Sequence, residues 1–346
     1  MKPSFLPRLV NDVFSDPVLF VDFRFHRRAL LLDLGDIDAL ANRALLRVSQ
    51  VFVSHAHMDH FYGFDRLLRV TLARRERLDL YGPPGFTDRL AHRLQGYTWN
   101  LVGNYAEDMA IHAWEWDGAR LQQTVFSMKA RFRVVEAHER PCADGVLLAE
   151  PGLTVRAALL DHGIPVLAFA LEEGRHVNVW KNRLAARGLS TGPWLRTLKE
   201  AVLAGLPDDT PIDVPLDSGA RRFPLGDLRR DVLRVVPGMR LAYVVDCRYH
   251  DDNARRIVEL ARGADYLFIE APFRAEEASL AAAKAHLTTA QAGALARRAA
   301  VKRVVPIHFS RRHEHEAARL YGEVAEAAGP SVACLSGPSL PQSPES

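Results

Sequence analysis

Val51-Phe-Val-Ser-His55-Ala-His57-Met-Asp59-His60 is the stretch of this chain that carries the most chemistry. The apolar run Val48–Ser54 reads as a strand, and four potential metal ligands follow it at once. A strand opening into a tight loop points alternate side chains, His55 and His57, the same way. Asp59 and His60 then lie on the turn and face a second position. Neutral imidazole and carboxylate are ligands that zinc takes, and a site left open to water is the catalytic kind. The plainer reading is a polar surface loop that happens to hold three histidines. It fits poorly with a buried-type strand directly before it.

Outward from this stretch, more short β-branched or apolar runs read as strands: Ala29–Leu34, Leu78–Tyr81, Leu153–Leu160, Val166–Leu171, Leu241–Val245, Tyr266–Ile269 and Val301–Ile307. Helix-like stretches lie between them, at Tyr62–Arg74, Pro84–Leu94, Asn253–Arg262, Ala275–Ala285 and Thr288–Ala300. The last opens on Thr288 with Gln291 three residues on, a capping-box pattern. Strands and helices mixed along the whole chain predict an α/β layered domain. Gly205–Gly226, rich in Pro, Asp and Gly, reads as a long loop. The Pro/Ser-rich end, residues 337–346, reads as a disordered tail. No internal repeat is visible.

The chain has 346 residues, 48% hydrophobic and 25% charged, with a net charge of +3. That is ordinary globular composition and excludes a disordered chain. No apolar run approaches the ~20 residues of a membrane-spanning helix. Met1–Phe20 lacks the layout of a secretion signal. Cys142, Cys247 and Cys334 form neither a metal-type pair nor a disulfide framework. The expectation is a cytoplasmic protein with no membrane partner. So small a net charge demands no nucleic acid, so any basic footprint must be local.

Three further polar residues stand just past apolar runs, in Leu159-Leu-Asp161-His162-Gly163, Val244-Val-Asp246 and Val305-Pro-Ile-His308-Phe. Any one alone would be a cap or a solvated turn residue. With them, His-x-His-x-Asp-His resembles the signature of the metallo-β-lactamase superfamily. The resemblance implies a four-layer αββα sandwich with a one- or two-metal site at one edge. It implies that His55, His57 and His162 bind a first Zn²⁺, and that Asp59, His60 and His308 bind a second. Asp246 would bridge the two ions, and Mn²⁺ or iron could take the same donors. Asp59 would also accept a proton from the water.

That motif does not choose a substrate. The C-terminal third resembles ribonuclease Z, an endonuclease that trims precursor tRNA near its 3′ end. The resemblance is carried by Phe268-Ile-Glu270-Ala271-Pro-Phe273, by Ala285-His286-Leu-Thr288-Thr-Ala-Gln291-Ala-Gly293, and by Val305-Pro-Ile-His308-Phe309-Ser310-Arg-Arg312. Asp161-His-Gly-Ile-Pro165 and Gly188-Leu-Ser-Thr-Gly192-Pro193 through Lys199 are also similar to it. It implies that His286 donates a proton to the leaving oxygen, where the plain alternative is a helix cap. Glu270 reads either as a partner behind the ligands or as a structural residue. Asp33-Leu-Gly35-Asp36-Ile and Val245-Asp246-Cys247 depart from the family's Gly-Glu-Gly-Thr-Gln and Gly-Asp-Thr elements, and His313 stands for its final Tyr.

Local charge suits a polyanion. Lys284–Arg312 holds seven Lys/Arg and no acid, and residues 174–203 hold six Lys/Arg and one acid. A solvated helix face accounts for Arg297 and Arg298. Arg312, Lys181, Arg183 and Lys199 are the candidates for phosphate contacts. The resemblance implies one metallo-β-lactamase-fold domain over residues 1–336, with an insert at about 174–236 as a substrate arm, and it leaves room for a homodimer. The rival readings are a hydrolase of another small phosphodiester or ester on the same site, and a nucleic-acid-binding protein with a vestigial site.

Overall fold

A computed structural model describes residues 4–24, 26–216 and 219–335; the tail expected at 337–346 lies outside the described residues. The chain divides into two compact units, Met1–Glu172 with Met239–Ser346, and Glu173–Gly238.

The larger unit contains two sheets. The first has eight strands in sequence order, from Phe5–Leu9 to Arg133–Pro141. Its centre is parallel: Ala29–Leu32, Val48–Phe52, Arg77–Gly82 and Ala110–Trp116 run alongside one another. The second has seven strands. Arg240–Val244, Tyr266–Glu270, Arg303–Ile307 and Ala333–Cys334 are its parallel run. Strand residues alternate faces, so Leu30, Leu32 and Phe52 join one core cluster while Leu31, Val51 and Val53 join another. Phe52 meets Phe169 of the second sheet edge-on, with ring centroids 5.6 Å apart. On the first sheet's other face, Val51 and Leu80 share a core with Phe64 and Leu67 of helix Phe64–Thr71 and with Phe86 and Leu90 of helix Phe86–Gln95. The helices Asp251–Ala261, Thr289–Arg298 and Ala317–Ala328 pack with the second sheet. The layers are αββα. Strands buried on both faces read as continuous apolar runs rather than alternating ones, which is why Leu30-Leu-Leu32 and Val51-Phe-Val53 are legible.

Two expected helices are broken. Tyr62–Arg74 is instead a short turn Met58–Phe61 followed by Phe64–Thr71. Gly63 separates them because a Cβ there would strike the carbonyls of Leu34 and Gly35. Ala275–Ala285 is a 3₁₀ turn Ala275–Glu277 and a helix Ala278–Ala283; it stops where Ala285 turns left-handed, φ 61°. Thr288 caps Thr289–Arg298 with the full capping box.

In the smaller unit, Val177, Leu184, Trp194, Leu198, Ile212, Val214, Leu225 and Leu228 make a separate core. Helices Lys181–Ala186, Trp194–Leu203 and Leu225–Val232 surround it. The loop expected over Gly205–Gly226 is wrong. It holds a hairpin, Pro211–Leu216 paired with Gly219–Pro224. Burial of Ile212 and Val214 on one face outweighs the low strand propensity of Asp213 between them and of Pro211 and Pro215 on either side. Pro165–Glu173 and Arg240–Val244, which flank the unit in sequence, pair antiparallel. Among the described residues no helix is long and apolar enough to cross a membrane.

Candidate metal centre

Adjacent parallel strands end side by side, so residues just past their carboxyl ends gather although they are far apart in sequence. Asp246 follows Arg240–Val244, Glu270 ends Tyr266–Glu270, and His308 follows Arg303–Ile307. Asp33 follows Ala29–Leu32, and His55 comes three residues after Val48–Phe52. Asp33, Asp246, Ala285 and His308 are left-handed, with φ of 61°, 46°, 61° and 56°. Such conformations are uncommon for residues with side chains and collect at functional sites. Asp33, Asp246 and His308 turn the chain just past a strand end, and Ala285 turns it just past the helix Ala278–Ala283.

Behind these groups lies a buried network absent from the expectations above. Asp33 is fully buried. Its Oδ1 accepts from the Ser54 amide at 2.6 Å. Its Oδ2 accepts from Ser54 Oγ at 3.0 Å, His60 Nδ1 at 2.9 Å and Tyr243 Oη at 2.9 Å. With its proton given to Asp33, Ser54 Oγ accepts from His55 Nδ1 at 3.0 Å. His162 Nδ1 donates to the carbonyl of Ala285 at 2.8 Å. A proton fixed on Nδ1 leaves the Nε2 lone pair of each ring for an ion. The sequence signal for Asp33 was the one used for the ligands, a polar residue just past an apolar run. Gly35 belongs to the same arrangement: a Cβ there would meet the backbone of Asp16 and Asp59.

His55, His57, His162 and Asp246 offer ligand atoms within 4.8 Å of one another, and so do Asp59, His60 and His308. Asp246 joins the two groups. Its Oδ2 lies 3.5 Å from His55 Nε2, 3.4 Å from His60 Nε2 and 3.5 Å from His162 Nε2, and its Oδ1 lies 3.0 Å from His308 Nδ1. His55 Nε2, His60 Nε2, His308 Nδ1 and Asp246 Oδ1 are buried without a hydrogen-bond partner. An orphaned buried polar atom costs ~1–3 kcal/mol, and cations held by these two groups would satisfy such atoms. These residues fit a metal.

Protonation follows the crowding. Burial, then the neighbouring His60, pulls His55 down to about 2, so it stays neutral as a ligand must. Burial, then His162, also lowers His57. Burial disfavours charge on His60 and His308, yet the Asp246 carboxylate raises both well above the usual histidine range. Burial likewise opposes ionisation of Asp246, but His60 and His308 hold it well below the usual carboxylate range.

A cavity of about 390 Å³ opens over the cluster, lined among others by His57, Asp59, His162, Asp246, His286 and His308. His286 Nδ1 donates to Glu270 Oε2 at 2.7 Å. Glu270 is fully buried, and its Oε1 accepts from the amides of Cys247 and Leu287 at 3.0 and 3.2 Å. Two backbone amides therefore fix Glu270 behind His286. Burial works against charge on His286, but Glu270 outweighs it and raises the imidazole above its ordinary value. The structure thus brings together Asp59, His286, Glu270 and the other candidate ligands.

The proposed substrate contacts are treated differently. Arg312 does not line the cavity; its guanidinium lies 5.7 Å from the ring of Phe273, which does, and 3.8 Å from Glu277. The basic run is acid-free only along the chain. Lys302 pairs with Asp265 at 2.6 Å, and Arg311 donates to the carbonyl of Phe14. Lys181, Arg183 and Lys199 belong to the smaller unit. Arg183 stacks 3.8 Å over Trp180.

An αββα sandwich with histidines and aspartates gathered at its strand ends defines a metallo-β-lactamase-fold protein, a class of metal-dependent hydrolases. Residues 210–309 match the family model described as beta-lactamase superfamily domain. The metallo-β-lactamase-fold protein YhfI of Bacillus subtilis superposes with a TM-score of 0.55 at 14% identity, covering 96% of this chain and 97% of that one. The short form of human tRNase Z superposes with a TM-score of 0.50 at 16% identity, covering 89% and 93%. Ribonuclease Z of Deinococcus radiodurans is 35% identical over 88% of both chains. The chain belongs to the ribonuclease Z family.

Proposed function

We propose that this chain is a ribonuclease that cleaves precursor tRNA near its 3′ end, using two zinc ions. The observation that carries the ion pair is Asp246, whose carboxylate lies within 3.5 Å of His55 and His162 of one group and of His60 and His308 of the other, while its Oδ1 and one nitrogen each of His55, His60 and His308 are buried and unpaired. His55, His57 and His162 would hold one ion and Asp59, His60 and His308 the other, with Asp246 between them because two dications repel. Bound there, the ions would lower the pKa of a water and polarise a phosphoryl oxygen.

The chain's own groups do the rest. Asp59 is partly exposed on the cavity wall, and hydrogen bonds from His308 and His60 keep it ionised despite burial; it accepts a proton. His286 carries a proton on the ring edge away from Glu270 and donates it to the leaving oxygen, which leaves poorly as an alkoxide. Ser54, Asp33 and Ala285 hold the ligand rings in place. Lys181, Arg183 and Lys199 in the inserted unit hold RNA by its phosphates, and Arg312 adds to them.

The deciding experiment sets a 3′-extended precursor tRNA beside bis(p-nitrophenyl) phosphate with zinc-reconstituted protein. Both are cleaved on this reading. Cleavage of the small diester alone, at low salt, would instead mark a hydrolase of another phosphodiester. Metal analysis giving two zinc ions per chain supports the dinuclear centre, and one or fewer removes it.

A further inference from the structure

We infer that Lys284 forms a second phosphate-binding position at the mouth of the metal cavity, taking the phosphate next to the scissile one. This rests on the phosphodiester reading above. Lys284 is the one Lys or Arg among the residues lining the cavity. Its side chain is exposed, and among the described residues it has no ion pair or side-chain hydrogen bond. Arg312 and Lys302 differ in this: Arg312 has Glu277 and Lys302 has Asp265.

The segment that carries Lys284 is held at every step. The amides of Lys284, Ala285 and His286 donate to the carbonyls of Leu280, Ala282 and Ala281 at 3.0, 3.2 and 2.9 Å. Ala285 is left-handed and gives its carbonyl to His162. His286 is tied to Glu270. Strain in Ala285 persists because its surroundings over-determine it. The lysine therefore springs from a fixed point one residue from a group that orients a ligand and two from the candidate proton donor. A cation beside a metal cluster is repelled while the cavity holds only ions and water. It becomes favourable when a substrate brings more than one negative charge. A scissile phosphate occupies the ions, and a flanking phosphate is the charge left for the ammonium. Arg312 stays at the rim, partly matched by Glu277.

The test is calorimetric titration of zinc-loaded protein with uridine 5′-monophosphate, uridine 3′-monophosphate and uridine 3′,5′-bisphosphate. Wild type should bind the bisphosphate about three- to tenfold more tightly than the better monophosphate, the range of an exposed to half-desolvated charged hydrogen bond. Lys284→Ala should erase that gain, and Lys284→Arg should keep most of it. The salt dependence of KM for precursor tRNA should shallow by about 0.7 in Lys284→Ala, one phosphate's share for a single strand. No bisphosphate gain in wild type, or an equal gain in Lys284→Ala, overturns the assignment. Precursor-tRNA cleavage measured in parallel separates the two ideas: a bisphosphate gain without tRNA cleavage keeps Lys284 and discards the tRNA substrate, and cleavage without the gain does the reverse.

Discussion

The strand-end cluster of the larger unit and the inserted unit 173–238 dispose of their polar groups in opposite ways. In the cluster, Asp33, His55, His60, Asp246 and Glu270 are all buried, and the rings of His55, His60, His162 and His286 are each locked by a hydrogen bond from behind. In the insert, Arg196 pairs with Glu200 and Arg222 with Asp213, both exposed pairs, and the unit leans on a core of twelve buried residues. Exposed pairs contribute only ~0–1 kcal/mol. The difference teaches that a site able to place ions and protons needs preorganised groups in a dry setting, where each error is costly, whereas a surface that would hold a polyanion, the role proposed for the insert, needs only charge within reach.

Asp246→Ala puts that contrast to its harshest test. It should remove metal and lower small-diester turnover by on the order of 10³-fold or more, because the two ions lose their shared anion. Metal analysis and turnover of bis(p-nitrophenyl) phosphate check this together; retention of both ions would break the contrast. His286→Ala comes next. It should keep the metal and lower kcat by about 10²–10⁴, and loss of zinc in this variant would show that the ring is a ligand instead. Asp33→Asn presents a donor to Ser54, His60 and Tyr243, and should weaken metal binding by about 10–100-fold, read by chelator competition. Unchanged affinity would mean that the hydrogen bonds behind the ligands merely fill space.

Acidity sharpens the comparison further. Against the pull of burial, Asp246 holds His60 and His308 well above the usual histidine range in the metal-free protein, so a metal ion taken up by these two rings would have to displace their protons. Affinity should therefore rise with pH and fall in acid, by up to about tenfold per unit for each proton displaced, a slope that chelator competition at two pH values measures. The smallest effect belongs to the insert. Lys181→Ala with Lys199→Ala should raise KM for precursor tRNA by roughly a few-fold at low salt and shallow its salt dependence, as measured by cleavage kinetics across a salt series. A loss of zinc in that pair would break the division of labour between the two units.

The capping box at Thr288, the apolar strand runs and the polar residue after each run are written in short segments of chain, so the ligand candidates could be read locally. Backbone geometry fixes alternation within a strand and the turn beyond it, and neither depends on what lies elsewhere. The hairpin of Pro211–Leu216 with Gly219–Pro224 was not legible, because Ile212 and Val214 pack into a core that other segments supply. The acid-free basic run misled for the same reason: Asp265 answers Lys302 from 37 residues away in sequence.

The sequence by itself determined which residue types stand at the ends of the strands, and so what chemistry this protein has to offer. Only the tertiary structure decided their roles. Parallel pairing sets the carboxyl ends of Arg240–Val244, Tyr266–Glu270 and Arg303–Ile307 side by side, turning Asp246 into a link between two groups and Glu270 into the anchor of His286. The sandwich brings Tyr243 to Asp33 across 210 residues, and through Asp33 to His60. Such partners share no pattern along the chain, because what joins them is burial without water, where every donor must find an acceptor.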